Sequence, residues 1–163
     1  MTEAEVNLEN DYCKLIMSEI MTPDKVNFNG TVHGGYVLAL LDRVAYACAS
    51  RYAAKTIVTL SVDQVFFKEP IYVGELLICF ASVNFVGKSS LEIGIRVIAE
   101  NLLTRRARHT NTCYFTMVAL GDDGKPSKIP PLTITNATQQ RRYDEALKRR
   151  EARLQLQASL KKK

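Results

Sequence analysis

The sequence predicts an α+β domain in which an antiparallel sheet curls around one central buried helix, and three observations predict it. The run Tyr36–Tyr52 places Val, Leu, Ala, Tyr and Cys side chains on every side of a helical wheel. A helix that is apolar all round has no solvent face and is enclosed by its own protein. Four downstream segments alternate with a period of two, as half-buried strands do. Short turns join these segments, so neighbouring strands run antiparallel. With one strand before the helix, the order is strand, helix, four strands, a pattern that packs one sheet against one helix.

Each element follows from local chemistry. Tyr12–Ile20 reads as a strand closed by Thr22-Pro23-Asp24, and a loop of residues 25–33 leads to Gly34-Gly35 at the start of the helix. In residues 56–68, Val58, Leu60, Val62 and Phe66 are expected on one face, and Glu69-Pro70 ends the strand. Leu77, Cys79, Ala81, Val83 and Phe85 repeat the pattern, Gly87-Lys88 turns the chain, and Leu91, Ile93, Ile95, Val97 and Ala99 form the hairpin partner. After a turn at 101–104, Thr110, Thr112, Tyr114, Thr116 and Val118 alternate until Gly121-Asp122-Asp123-Gly124. Residues 137–160 read as an exposed helix with a weak face of Tyr143, Leu147, Leu154 and Ala158.

A chain of 163 residues with 47% hydrophobic content builds one core. The expected division is a single domain over residues 1–136 and a basic helical tail over 137–163. Of 22 basic and 17 acidic residues, nine and three fall in the tail, leaving 13 and 14 in a nearly neutral body. The tail carries Tyr143 as its one aromatic, a poor supply for stacking on bases, which argues against nucleic acid as a partner. Cys13, Cys48, Cys79 and Cys113 stand singly, and residues 1–11 lack a charged-then-apolar leader pattern, which reads as a reduced, cytoplasmic protein. Asp42 and Arg43 interrupt the longest apolar stretch, against a membrane span.

Two features carry candidate chemistry. Asp42 sits about two turns into the helix without a polar side, so its carboxylate is expected to be buried or to line an internal crevice. It then either serves as a general base or nucleophile, or makes a structural ion pair with a neighbour such as Arg43 or Lys68. The second is Asn27-Phe28-Asn29-Gly30-Thr31-Val32-His33-Gly34-Gly35, which brings polar side chains and bare backbone to the helix N-terminus. Free N–H groups there, backed by the helix dipole, can hold an oxyanion, although Gly-containing loops often enter helices without such a role. His33 is either an acid or base, or a hydrogen-bonding loop residue. There is no G-x-S-x-G elbow, P-loop or G-x-G-x-x-G motif. Two histidines and four scattered cysteines provide no metal-ligand spacing.

The Asn27–Gly35 segment followed by Leu40-Leu41-Asp42 resembles the signature of hotdog-fold acyl-CoA thioesterases, in particular the bacterial group related to mammalian brain acyl-CoA hydrolase. Val58–Asp63, Phe67–Ile71, Val73-Gly74-Glu75 and Gly87–Ile93 are similar as well, so that the resemblance spans residues 12–150 or so. It implies a hotdog fold, dimers built across a continuous sheet, and assembly as a hexamer, a trimer of dimers. It also implies that Asn27 and Asp42 are catalytic, with Asp42 activating water or attacking the thioester, Asn27 positioning the water or carbonyl, and N–H groups near Gly34 and Gly35 holding the oxyanion. Coenzyme A is then part of the acyl-CoA substrate and of the product, with no resident cofactor. For its phosphates, Lys88, Ser89 and Ser90 at a hairpin turn, with Arg106 and Arg108 on the next strand, offer charge and donors. The competing substrate class is an acyl chain carried on a carrier protein, to which a basic tail could dock.

Overall fold

The computed structural model describes residues 11–160, so the readings of residues 1–10 and of Lys161–Lys163 lie outside it. The elements are β1 (Lys14–Ile20), a short 3-10 turn (Pro23–Lys25), α1 (Gly34–Ala53), β2 (Thr56–Val62), β3 (Glu75–Val86), β4 (Ser90–Asn101), β5 (Arg106–Leu120) and α2 (Ala137–Leu160). The five strands form one antiparallel sheet in the order β1-β3-β4-β5-β2. β1 and β2 are thus the two edges, and α1, which joins them in sequence, crosses the sheet and packs against all five strands. Its Val37, Leu40, Leu41, Val44, Ala45, Cys48 and Ala49 meet Leu77, Ile93, Ile95, Val97, Phe115 and Met117 in a single core. This is the α+β architecture that the sequence predicts.

The helix is not enclosed on every side, however. Leu38 and Tyr46 are 36% and 49% exposed, and Ala39 is open beside them. Five strands cover one side of α1, and the apolar stripe on its other side has no cover among the described residues. Contiguous exposed apolar surface is where proteins commonly bind a partner or a ligand.

Two bulges correct the expected faces of the strands. β2 pairs Thr59 with Met117 and then Ser61 with Thr116, so Leu60 is the extra residue. Val62 comes opposite Phe115 on the α1 side, whereas Leu60, at 66% exposure, does not share its face. β2 also ends at Val62 rather than at residue 68, and Phe66 lies beyond it in an irregular segment. In β3 the register slips between Val83 and Phe85, which inserts Asn84 and turns Phe85 to the opposite face, where its ring lies 5.5 Å from that of Tyr143 in α2. Asn84 is buried against Gly94, where an added Cβ would lie 2.3 Å from its amide nitrogen, so the bulge requires glycine on the neighbouring strand.

α2 is largely exposed, as expected, but its inner face differs from the predicted one. Leu147 and Leu154 stay exposed, with Leu154 lining a cleft beside Leu60 and Phe85, and the close contacts are made by Tyr143, Ala146, Arg149 and Arg153. Arg149 stacks on Tyr114 at 3.6 Å and donates to both oxygens of Glu92, at 2.7 and 3.2 Å, while Arg153 bonds Asp63 at 2.8 and 3.0 Å. Long arginine stems can cover a sheet while delivering their charge to a buried acid. Glu92 is 1% exposed. Removing one partner of such a pair strands a buried charge. Arg149→Met is therefore expected to lower unfolding free energy by about 3 kcal/mol in chemical denaturation. This is near the low end of the usual cost because Arg153 remains 3.7 Å from Glu92. Replacing Glu92 by Met as well should recover most of the loss; no recovery would assign the cost to the lost stacking on Tyr114.

Candidate active site

The site is built where the loop before α1, the helix itself and the irregular segment after β2 converge. Asn27 closes its own loop. Its Oδ1 accepts the Asn29 N–H at 2.8 Å and the Thr31 N–H at 3.2 Å, and its Nδ2 donates to Thr31 Oγ1 at 3.0 Å. Backbone bonds Asn27 N–H to Thr31 O (2.7 Å) and Gly30 N–H to Asn27 O (3.1 Å) tighten the turn, with Gly30 at φ +78°. In the same loop Phe28 stands free in solvent.

His33 caps α1. Its Nδ1 accepts the Gly35 N–H at 2.9 Å, a role that uses the ring as an acceptor rather than as an acid. A Cβ at residue 35 would approach Nδ1 to 3.0 Å and crowd the capping ring. The cap takes up the Gly35 N–H, one of the two groups expected to hold an oxyanion. The Gly34 N–H has no hydrogen-bond partner among the described residues, and Gly34 lines the same pocket as Asn27, with Val37, Phe67, Lys68 and Ile71.

Asp42 is neither fully buried nor ion-paired. Its Oδ1 accepts the Thr59 hydroxyl at 2.6 Å, and among the described residues no cation lies within salt-bridge distance. Arg43, the neighbour expected as a structural partner, turns instead to Glu19 at 3.6 Å. The carboxylate opens into a pocket with Leu38, Ala39, Val62, Val65, Phe67 and Phe115, and with one further acid, Asp63, which Arg153 holds. It is thus held by one hydroxyl in largely apolar surroundings, with its other oxygen free of hydrogen-bond partners among the described residues. Sequence reasoning missed Thr59. The available signal was its place in a β-strand among apolar residues, but the register that aims it at Asp42 is tertiary.

Within one chain the two candidates do not line one pocket. Asn27 and Asp42 line different pockets, and Phe67 is the one residue common to both linings.

The profile of the Thioesterase superfamily matches residues 29–104. A crystal structure of an apo hexameric acyl-CoA thioesterase superposes with a TM-score of 0.86 at 34% identity, covering 90% of this chain and 94% of that one. The chain belongs to the hotdog-fold thioesterase superfamily. Its relatives and structural neighbours are acyl-CoA thioester hydrolases, and the chain is a thioester hydrolase. Protein VdlD of Helicobacter pylori is 52% identical over 88% of this chain and 82% of its own length. The acyl-CoA hydrolase of Staphylococcus aureus, solved with butyryl coenzyme A, coenzyme A and coenzyme A disulfide, has a TM-score of 0.85 at 29% identity, over 93% and 92% of the two chains. Structures of that protein also exist with alanine in place of an aspartate, an asparagine and a threonine.

The phosphate-binding candidates of this superfamily member do not form one cluster. Ser90 pairs with Val118 and Asn101 with Arg106, so the Lys88–Ser90 turn and Arg106 lie at opposite ends of β4 and β5. At about 3.3 Å per residue the two ends are tens of ångströms apart. The turn is pinned, with Lys88 O accepting the Ile129 N–H at 3.0 Å and Ser89 O the Ala119 N–H at 2.9 Å, and it leaves the Lys88 side chain exposed. Arg106 is exposed as well, without an ion pair among the described residues. Arg108 is already engaged. Its guanidinium makes two bonds to Glu75, at 2.6 and 2.8 Å, and a third to the Pro70 carbonyl, so it is not a free phosphate ligand.

Proposed function

We propose that the protein hydrolyses fatty acyl-CoA to a free acid and coenzyme A, at a site that takes Asp42 from one subunit and Asn27 from another. The observation that carries this reading is the state of Asp42, which has a hydroxyl partner, no counter-cation among the described residues and a largely apolar pocket in front of it. A carboxylate that only stabilised the fold would be expected to hold an ion pair. In the hydrolysis, a water oxygen bonds to the acyl carbon as Asp42 takes its proton, or the carboxylate attacks first and water releases the acyl group. The carbonyl oxygen becomes negative at the α1 N-terminus, where the Gly34 N–H and the helix dipole oppose that charge. The C–S bond then breaks. A thiol of pKa near ~8.5 needs little help to leave as thiolate, so one base and one oxyanion site suffice. Coenzyme A belongs to substrate and product and is not a resident cofactor in this reading.

The shared site requires at least a dimer, and a hexamer built as a trimer of dimers is the assembly proposed. The open stripe of α1, the free edge of β2 and the hexameric structural neighbour support it. Nucleic acid fits poorly, because Arg141, Arg149 and Arg153 of the tail are held by Glu145, Glu92 and Asp63. No helix among the described residues is long and apolar enough to cross a membrane. A reducing cytoplasm suits the four free cysteines.

The test is release of thiol from saturated acyl-CoA esters of increasing chain length, compared with the same acyl groups on a carrier protein. Turnover of the CoA esters, with the carrier substrates at least ~10-fold poorer in kcat/KM, is the expected result. The reverse ranking would move the substrate class to carrier-bound acyl chains, and no thiol release from either would overturn the reading.

A further inference from the structure

The wall of the Asn27 pocket is the segment Phe67–Ile71, which forms neither strand nor helix and whose Phe67 also lines the pocket of Asp42. A wall without a ladder of its own needs support from outside. The support comes from β5 and the start of β3. Glu75, 4% exposed, accepts both nitrogens of Arg108 and also the Tyr72 N–H at 2.9 Å. Arg108 further donates to the Pro70 carbonyl and lies over the Tyr72 ring at 5.6 Å. Lys68 N–H reaches Thr110 O at 3.3 Å, two residues along β5 from Arg108. Beyond the wall, Ile71 O accepts the Val32 N–H at 2.8 Å, in the loop that carries Asn27 and leads into Gly34.

We propose that Arg108 and Glu75 are positioning residues for the hydrolysis: their bidentate pair braces the Phe67–Ile71 wall and, through Ile71 and Val32, sets the Asn27 loop against the α1 N-terminus. The inference rests on the proposed hydrolase reading. Neither side chain lines the pocket of Asn27 or that of Asp42, so the pair acts through backbone. The bidentate geometry matters because a planar guanidinium fixes both direction and distance, which an ammonium does not. The pair also has an acid signature. Burial pushes the Glu75 carboxyl up, but the Arg108 guanidinium and the Tyr72 N–H outweigh it and hold it below the usual carboxylate range. The brace is therefore present above the ordinary carboxylate pKa of about 4.3 and is lost as pH falls through the lowered value. Tyr72 and Glu69 are the other titratable groups that face the pair. Without Arg108 burial prevails, the Glu75 carboxyl rises, and protonation moves into weak acid.

The experiment compares Arg108→Met, Arg108→Lys and Glu75→Gln with wild type in the assembled protein, well below each variant's Tm. Arg141→Met, which removes an exposed ion pair on α2, is the control. Amide exchange of the Val32 and Tyr72 N–H groups is expected to rise ~10-fold in Arg108→Met and not in the control. In the same variant kcat for an acyl-CoA ester should fall ~10-fold with KM changed less than ~3-fold, because the wall places reacting groups rather than the nucleotide. Arg108→Met should also gain a loss of kcat in weak acid that Glu75→Gln, which has no proton to take up, lacks. Arg108→Lys should fall between, and if Arg108→Met does not fold, Arg108→Lys and Glu75→Gln still carry the exchange and kcat readouts. Unchanged exchange at Val32 in all folded variants, or faster exchange with unchanged kcat, overturns the brace. Should wild type turn over no acyl-CoA ester, the hydrolase reading falls, and exchange at Val32 alone then decides whether the pair holds the loop.

Discussion

Replacing Asp42 by asparagine is expected to lower kcat for acyl-CoA hydrolysis by ~10²-fold or more while the protein stays folded and assembled. The substitution is nearly isosteric, and an asparagine Oδ1 can still accept the Thr59 hydroxyl now bonded to Asp42 at 2.6 Å, so the pocket of Leu38, Val62 and Phe115 keeps its shape. What is lost is the charge that takes a proton from water or attacks the acyl carbon. Because no ion pair involves Asp42 among the described residues, removing its charge leaves no cation unpaired. Stability measured by thermal unfolding should therefore change little. Near-normal turnover would take Asp42 out of the mechanism, and unfolding of the variant would restore a structural role for the carboxylate.

The second large effect is complementation. Asn27→Ala and Asp42→Ala should each be inactive alone, and co-refolding them should restore about a quarter of wild-type activity, because random pairing makes about half the dimers mixed and each mixed dimer has one complete site. The structure motivates this result directly. In one chain Asn27 faces a pocket with Gly34 and Lys68, whereas Asp42 opens into another with Leu38 and Phe115. Asp42 lies seven residues past Gly35, roughly 10 Å along the helix at ~1.5 Å per residue. A two-fold interface on the open stripe of α1 would let each Asn27 loop reach the partner's Asp42. If activity stays at the level of the single variants while mixed dimers are shown to be present, the shared site is refuted.

Asp42 and the Asn27–Gly35 loop were legible in the sequence because their signals are local. A carboxylate in a helix without a polar face and a glycine pair entering a helix can be seen without knowing the fold. Thr59 and the Arg108–Glu75 pair were not legible in this way. Thr59 is one of several hydroxyls on β2 and β5, and only the strand register places it against Asp42. Arg108 and Glu75 are 33 residues apart in sequence and meet because Asn101 turns β4 back into β5 beside the start of β3. Read as a basic residue on a strand, Arg108 offered itself to a phosphate, but in the fold a buried acid takes its donors first.

By itself the sequence determined the order of strand, helix and four strands, the place of the buried helix, the split between a neutral body and a basic tail, and the residues worth testing as chemistry. All of these depend on period, turn residues and charge within short windows, where neighbouring positions decide the outcome. The tertiary structure alone decided which way each strand faces beyond Leu60 and Asn84, since one inserted residue reverses the alternation and leaves no mark in composition. It also decided that α2 is tied down by Arg149 and Arg153 rather than by its leucines, and that one stripe of α1 is left open. The physical reason is reach: a long side chain takes whichever partner the fold brings within hydrogen-bond distance, and five strands are too few to close around an apolar helix.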